Sequence, residues 1–229
     1  MSESNLLIRA PSWQLLLGTC SRFVRNHARL TLAITAGFIF CHYLEPQLIA
    51  FDQWYELDEV DQYRWYASVF LSLVWTVVLA FAALRFFCLE NGLLLQVESS
   101  NLIRFILAYA SIHIAVILGT VIFLVPGMLI WICTLMFPLL ILVRGKTIGE
   151  SFAISYRALQ GQIWPITFQF LPFVAIVAGL YIVFYLLSES MLFWPALPLL
   201  EVALFLFSAI ISSYYSVTLY CNLCGQHDS

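Results

Sequence analysis

Residues 121–161 read VIFLVPGMLIWICTLMFPLLILVRGKTIGESFAISYRALQG. One apolar run reaches Val125-Pro126-Gly127, a second carries Pro138, the chain turns polar at Arg144-Gly145-Lys146, and a periodic stretch opens at Thr147. Pro126-Gly127 leaves almost no loop between the apolar runs, so residues 103–124 and 128–143 are expected to form a tight helical hairpin. So short a turn cannot hold exposed backbone in lipid, which puts it at the far interface. Pro138 lacks a backbone N–H and is expected to kink or shorten the return helix, with a re-entrant or broken fourth segment as the alternative. Thr147-Ile148-Gly149-Glu150 has the form of a capping box, in which the hydroxyl and the carboxylate each bond the other residue's amide. An amphipathic helix is therefore expected over 147–160, with Ile148, Phe152, Tyr156 and Leu159 on one face. Gly161 suits its end, and Pro165 suits the first turn of the next helix.

Composition sets the solvent for this pattern. The chain has 229 residues, 62% hydrophobic and 10% charged, with a mean hydropathy of +0.93. Ordinary soluble domains are about 45–50% apolar and about 25% charged. A soluble fold of this length has too little interior for that much apolar surface, so an all-α polytopic membrane protein is expected. The net charge of −3 and the scattered basic residues exclude a nucleic-acid partner. No cleavable signal is expected, because the first membrane-length run begins near Leu30 and no small-residue cleavage site follows it.

A hydrocarbon core of about 30 Å needs about 20 apolar residues per helix. Six stretches meet or approach this: 30–50, 67–88, 103–124, 128–143, 164–187 and 195–220. Arg9, Arg22, Arg25 and Arg29 precede the first, Arg85 and Arg104 flank the loop after the second, and Arg144, Lys146 and Arg157 follow the fourth. If the spans alternate, all nine fall on one side. Arg64 alone lies opposite, in the acidic loop 45–66. The positive-inside rule then makes both termini cytoplasmic. Residues 12–28 form a second expected interfacial helix, with Trp13, Leu16, Leu17, Cys20, Val24 and His27 at helical spacings and Arg22, Arg25 and Arg29 mostly on the other side. Such helices lie in the headgroup plane with the basic face toward anionic lipid, so Arg22, Arg25, Arg29, Lys146 and Arg157 are the candidate headgroup contacts. Trp13, Trp164, Trp194, Tyr214, Tyr215 and Tyr220 have the placement of an aromatic belt.

On Val125-Pro126-Gly127-Met128, the following Pro138, the helix carrying Gly149, Ser151, Ser155 and Arg157, and Phe23-Val24-Arg25-Asn26 before the first span, the sequence resembles the YciC-type family of uncharacterised bacterial inner-membrane proteins. That family is similar to the membrane region of some glycerophosphodiester phosphodiesterases. The resemblance implies six helices in a bacterial inner membrane and carries over no catalytic residue. The acidic loop 45–66 is outside what it explains, and the chain has no room for a soluble catalytic barrel.

Ionisable groups inside spans are the default site candidates, because lipid makes them costly. His42 and Glu45 lie three apart on one face, and His113 sits near the middle of its span. With Gln169, they form a metal or proton-relay set if the first and third spans pack together. The competing reading is packing and interfacial hydrogen bonding, with Glu45-Pro46 marking the end of the span. Arg85 is placed to snorkel to the headgroups, and Glu201 to sit at an interface. Cys221-Asn222-Leu223-Cys224 with His227 supplies only three zinc ligands, one short of a structural site. The remaining cysteines sit in apolar helices, where they act as small hydrophobes. No catalytic or nucleotide-binding motif is present, and no cofactor is implied. The expected function is therefore non-enzymatic, in envelope or lipid organisation, with anionic membrane lipids as partners. A small transporter or transport subunit is the alternative, and an intramembrane lipid-modifying enzyme is a third class.

Overall fold

The computed structural model describes residues 13–44, 59–122, 124–160, 163–168, 175, 179, 183 and 197–223. Its elements in chain order are α1 (Trp13–Asn26), α2 (Ala28–Leu44), α3 (Glu59–Glu90), α4 (Ser99–Ile122), α5 (Leu124–Cys133), α6 (Phe137–Arg144), α7 (Ile148–Leu159) and α8 (Leu197–Leu223). Residues 163–168 are also helical. No strand occurs among the described residues. Two helical segments, Glu59–Glu90 and Ser99–Val116, are long and apolar enough to cross a membrane. Ala28–Cys41 and Leu129–Arg144 are shorter apolar helical stretches.

α2, α3 and α8 pack side by side, and α5 folds back along α4. α2 crosses α3 closely at Gly37, where a Cβ would strike the Trp75 indole. A hydrogen in place of the methyl lets the large ring lie against helix backbone. The buried centre collects Phe87 from α3, Phe105 from α4, Met136, Leu139 and Leu140 around α6, and Leu219 from α8. α3 runs about 48 Å at 1.5 Å per residue, well beyond a 30 Å hydrocarbon core. Its surplus is polar: Glu59 and Asp61 lie in the first turn, where the helix N-terminus favours negative charge. Arg64 closes a surface pair on Asp61 at 3.2 Å.

Several boundaries differ from the sequence expectation. The acidic loop expected over 45–66 is already helical from Glu59, because Glu59 and Asp61 suit an N-terminal turn. Pro126-Gly127, expected to form the reversal, lies within a helix: α5 starts at Leu124, so Pro126 stands in its first turn, where a missing N–H costs nothing. The single helix expected over 128–143 is two helices, with a break at residues 134–136. Pro138 stands in the first turn of α6. With no N–H at 138, the Thr134 carbonyl accepts from the Phe137 amide instead, at 3.0 Å. The helix expected over 12–28 ends at Asn26 and is followed at once by α2.

The turn out of α6 is tied down. Gln96 N–H donates to the Leu142 carbonyl at 2.7 Å, and Asn101 Nδ2 donates to the Gln96 carbonyl at 3.1 Å. Gly145 caps α6 in the left-handed region at φ 60°, a conformation open to glycine at no steric cost. Arg144 Nε donates to the Tyr220 hydroxyl at 3.0 Å, which joins the end of α6 to the end of α8.

Candidate functional site

The break between α5 and α6 positions the site. Once Phe137 N–H serves Thr134, the Cys133 carbonyl has lost its partner four residues on. It accepts from Ser155 Oγ of α7 at 2.8 Å. The Leu135 carbonyl, in the same break, accepts from Ser216 Oγ of α8 at 2.7 Å. Thr134 folds its own hydroxyl back to the Ile130 carbonyl at 2.8 Å. Two neighbouring helices thus supply the donors that an intact helix would have supplied itself, as backbone in a dry interior requires.

Beside the break, α3, α4, α5 and α8 leave a cleft. Its wide compartment has a volume of about 270 Å³ and is walled by Tyr109, His113, Trp131, Phe205 and Ser212, among others. A narrow compartment of about 40 Å³ shares His113 and Ser212 and reaches Thr134, Pro138 and Ser216. Among the described residues, no Asp, Glu, Lys or Arg lines either compartment. His113 lies over Tyr109, with ring centroids 4.8 Å apart and planes at 30°. Its Nδ1 is buried and makes no hydrogen bond of good geometry, and the backbone of Tyr109 interacts with the ring. Ser212 Oγ donates to the Ser208 carbonyl at 2.7 Å, Ser208 Oγ to the Phe205 carbonyl at 2.9 Å and Thr76 Oγ1 to the Ser72 carbonyl at 2.7 Å. Their protons are committed to backbone, so these hydroxyls face the cleft as acceptors.

Of the residues singled out in the sequence, His113 and Pro138 meet at this cleft. Glu45, Gln169, Cys224, His227, Trp194 and the side chains of His42, Trp13 and Glu201 lie outside the described residues. No group of three or more His, Cys, Asp or Glu side chains able to hold a metal occurs among the described residues. The hydroxyls of Ser155, Ser212 and Ser216 were not expected to matter. The signal for two of them was present: Ser208, Ser212 and Ser216 recur every fourth residue, which lines them along one face of α8.

Thr147 and Glu150 form the expected capping box: the Thr147 amide donates to Glu150 Oε2 at 3.1 Å, and the Glu150 amide donates to Thr147 Oγ1. The backbone N–H and hydroxyl of Thr147, and then Lys146 and Arg104, hold the Glu150 carboxyl below the ordinary glutamate range. The faces of α7 are distributed otherwise than expected for Leu159. Ser151, Ser155 and Leu159 are buried against the bundle. Ile148, Phe152 and Tyr156 are 39%, 47% and 43% exposed, with the Phe152 and Tyr156 rings stacked at 11°. Lys146 is half-buried and Arg157 is exposed.

α1 shows a similar shift of face. Its packed stripe is Leu16, Thr19, Cys20 and Phe23, while Leu17 and Val24 remain exposed. Phe23, which the sequence reading did not place on the apolar face, is fully buried and meets Phe86 edge-on at 5.6 Å. Burial pushes the Cys20 thiol up to about 11. Arg22 reaches Glu90 of α3 at 3.4 Å, while Arg25, Arg29 and Arg85 are exposed. No protein-family model, curated protein or solved structure matches the chain.

Proposed function

We propose that this chain is a multi-pass bacterial inner-membrane protein of the YciC type, with six spans and both termini cytoplasmic, that organises envelope lipid from the cytoplasmic face and carries out no catalysis. The observation that carries the reading is the side of α7 formed by Ile148, Phe152 and Tyr156. It stands open while the opposite side packs on the bundle. An aromatic row left open beside helices of spanning length suits the boundary between headgroups and acyl chains. Lys146, Arg157, Arg25 and Arg29 lie near the ends or on the outside of the two amphipathic helices, where anionic headgroups would meet them. Each basic group near such a surface contributes about 1 kcal/mol.

The test is reconstitution into bilayers that mix an anionic and a neutral phospholipid, each spin-labelled in turn. Anionic lipid should be enriched in the first shell around the protein. Lys146→Gln with Arg157→Gln should reduce that enrichment several-fold, and raised salt should do the same. Equal occupancy by the two lipids would overturn the proposal.

One observation favours a second reading as a small transporter: a proline-broken helix borders a partly polar cleft, and discontinuous helices commonly build substrate sites. Solute flux into proteoliposomes, blocked when the cleft is filled, would select that reading over lipid organisation.

A further inference from the structure

We infer that the cleft between α3, α4, α5 and α8 is a binding site for a neutral phenol-type ligand, an aromatic ring bearing a hydroxyl group. The inference needs only the packing of these four helices and stands whether or not α7 recruits anionic lipid.

Size comes first. A dry apolar cavity of about 150 Å³ accepts benzene, so the 270 Å³ compartment takes a substituted ring. Shape follows from the walls, since Tyr109, Trp131 and Phe205 present aromatic faces and edges on which a ring packs by stacked or edge contacts.

Polarity is then selective. The hydroxyls of Thr76, Ser208 and Ser212 spend their protons on backbone carbonyls, so what they offer the cleft is lone pairs. A neutral imidazole keeps one bare ring nitrogen in either tautomer, so His113 adds one more lone pair. The missing partner is therefore a donor. A cation is disfavoured, because no carboxylate among the described residues lines the cleft to pair with it and an unpaired charge in a low-dielectric interior is costly. A phenolic hydroxyl is a neutral donor, and a strong one. His113 and Ser212 line both compartments, so the hydroxyl sits at their junction with the ring in the wide part.

A photoactivatable phenol carrying a diazirine, added to the full chain in neutral-lipid nanodiscs, tests this by mass-spectrometric mapping of the cross-links. Saturable labelling is expected on the helix segments around Tyr109, Trp131 and Ser212, and unlabelled phenol should compete at least ten-fold better than its methyl ether. Ala209→Phe, which fills the cleft from α8, should abolish the label. His113→Phe, which keeps a ring over Tyr109, should keep the label and erase the preference for phenol over ether. Non-saturable labelling, equal competition by the ether, or a preference unchanged in His113→Phe would each overturn the proposal. If Ala209→Phe fails to fold, the ether comparison and His113→Phe still decide it.

Discussion

A proline inside an apolar run leaves carbonyl groups without their helical partners, and where lipid is the solvent the donors must come from the protein. Here Pro138 has that effect, and Ser155 and Ser216 answer it from two other helices. The contribution of each bond is modest, because hydrogen bonds between membrane helices average about 0.6 kcal/mol and rarely exceed about 1.7. A buried carbonyl left without a donor raises the cost toward about 1–3 kcal/mol. Ser216→Ala should therefore lower unfolding stability in detergent by roughly 1–2 kcal/mol, as measured by SDS or heat titration. Ser155→Ala should cost about the same or less, since its bond is only partly buried. The two losses should be near-additive, because the hydroxyls serve different carbonyls. A neutral Ser216→Ala variant would mean that the break finds another donor.

At the scale of the element, α7 is held by its cap and by its small-residue face. The carboxyl of Glu150 is depressed by the Thr147 hydrogen bonds. Its contribution is thus complete above the ordinary glutamate value of about 4.3 and is lost as pH falls through the lower folded value. Amide protection of the first turn of α7 should stay level from neutral pH to that point and decline below it, as read by hydrogen exchange. Glu150→Gln should flatten the profile. Thr147→Ala should weaken α7 by about 1 kcal/mol at all pH values, the usual cost of losing an N-cap. The capping box was legible in four consecutive residues because it is a local motif with fixed spacing. The side of α7 that turns inward was less legible. Leu159 shares an apolar stripe with Phe152 and Tyr156 in sequence, yet it is buried while they are exposed. Packing selects the side that carries Ser151 and Ser155, because small residues let helices approach closely.

At the scale of the molecule, α1 joins the bundle through Phe23 and Cys20 and does not lie apart from it. Truncating a buried aromatic costs about 3–5 kcal/mol where the site cannot collapse. Phe23→Ala should therefore release α1 before the rest of the bundle unfolds. The buried Cys20 thiol, raised to about 11, should then become reactive toward maleimide near neutral pH, while in the parent it resists. Unchanged Cys20 labelling in Phe23→Ala would show that other contacts hold α1 in place.

Legible in the amino-acid sequence alone were the helical character of the described residues, apolar stretches long enough to cross a membrane, the position of the α7 cap, and the consequence of Pro138 for its helix. These follow from composition and from interactions within a few residues, and they do not depend on what the helix meets. His113 could be picked out as a polar group in an apolar run, but its surroundings could not. The fold-back of α5 on α4 was expected from the short turn, but only the tertiary structure decided that it sets Trp131 beside Tyr109 and His113, that serines from α7 and α8 satisfy the broken turn, and that a cleft remains between them. The bond from Ser216 to the broken turn alone joins residues 81 positions apart. Apolar periodicity reports that a face is buried and carries no record of its partner, since almost any apolar surface can cover another.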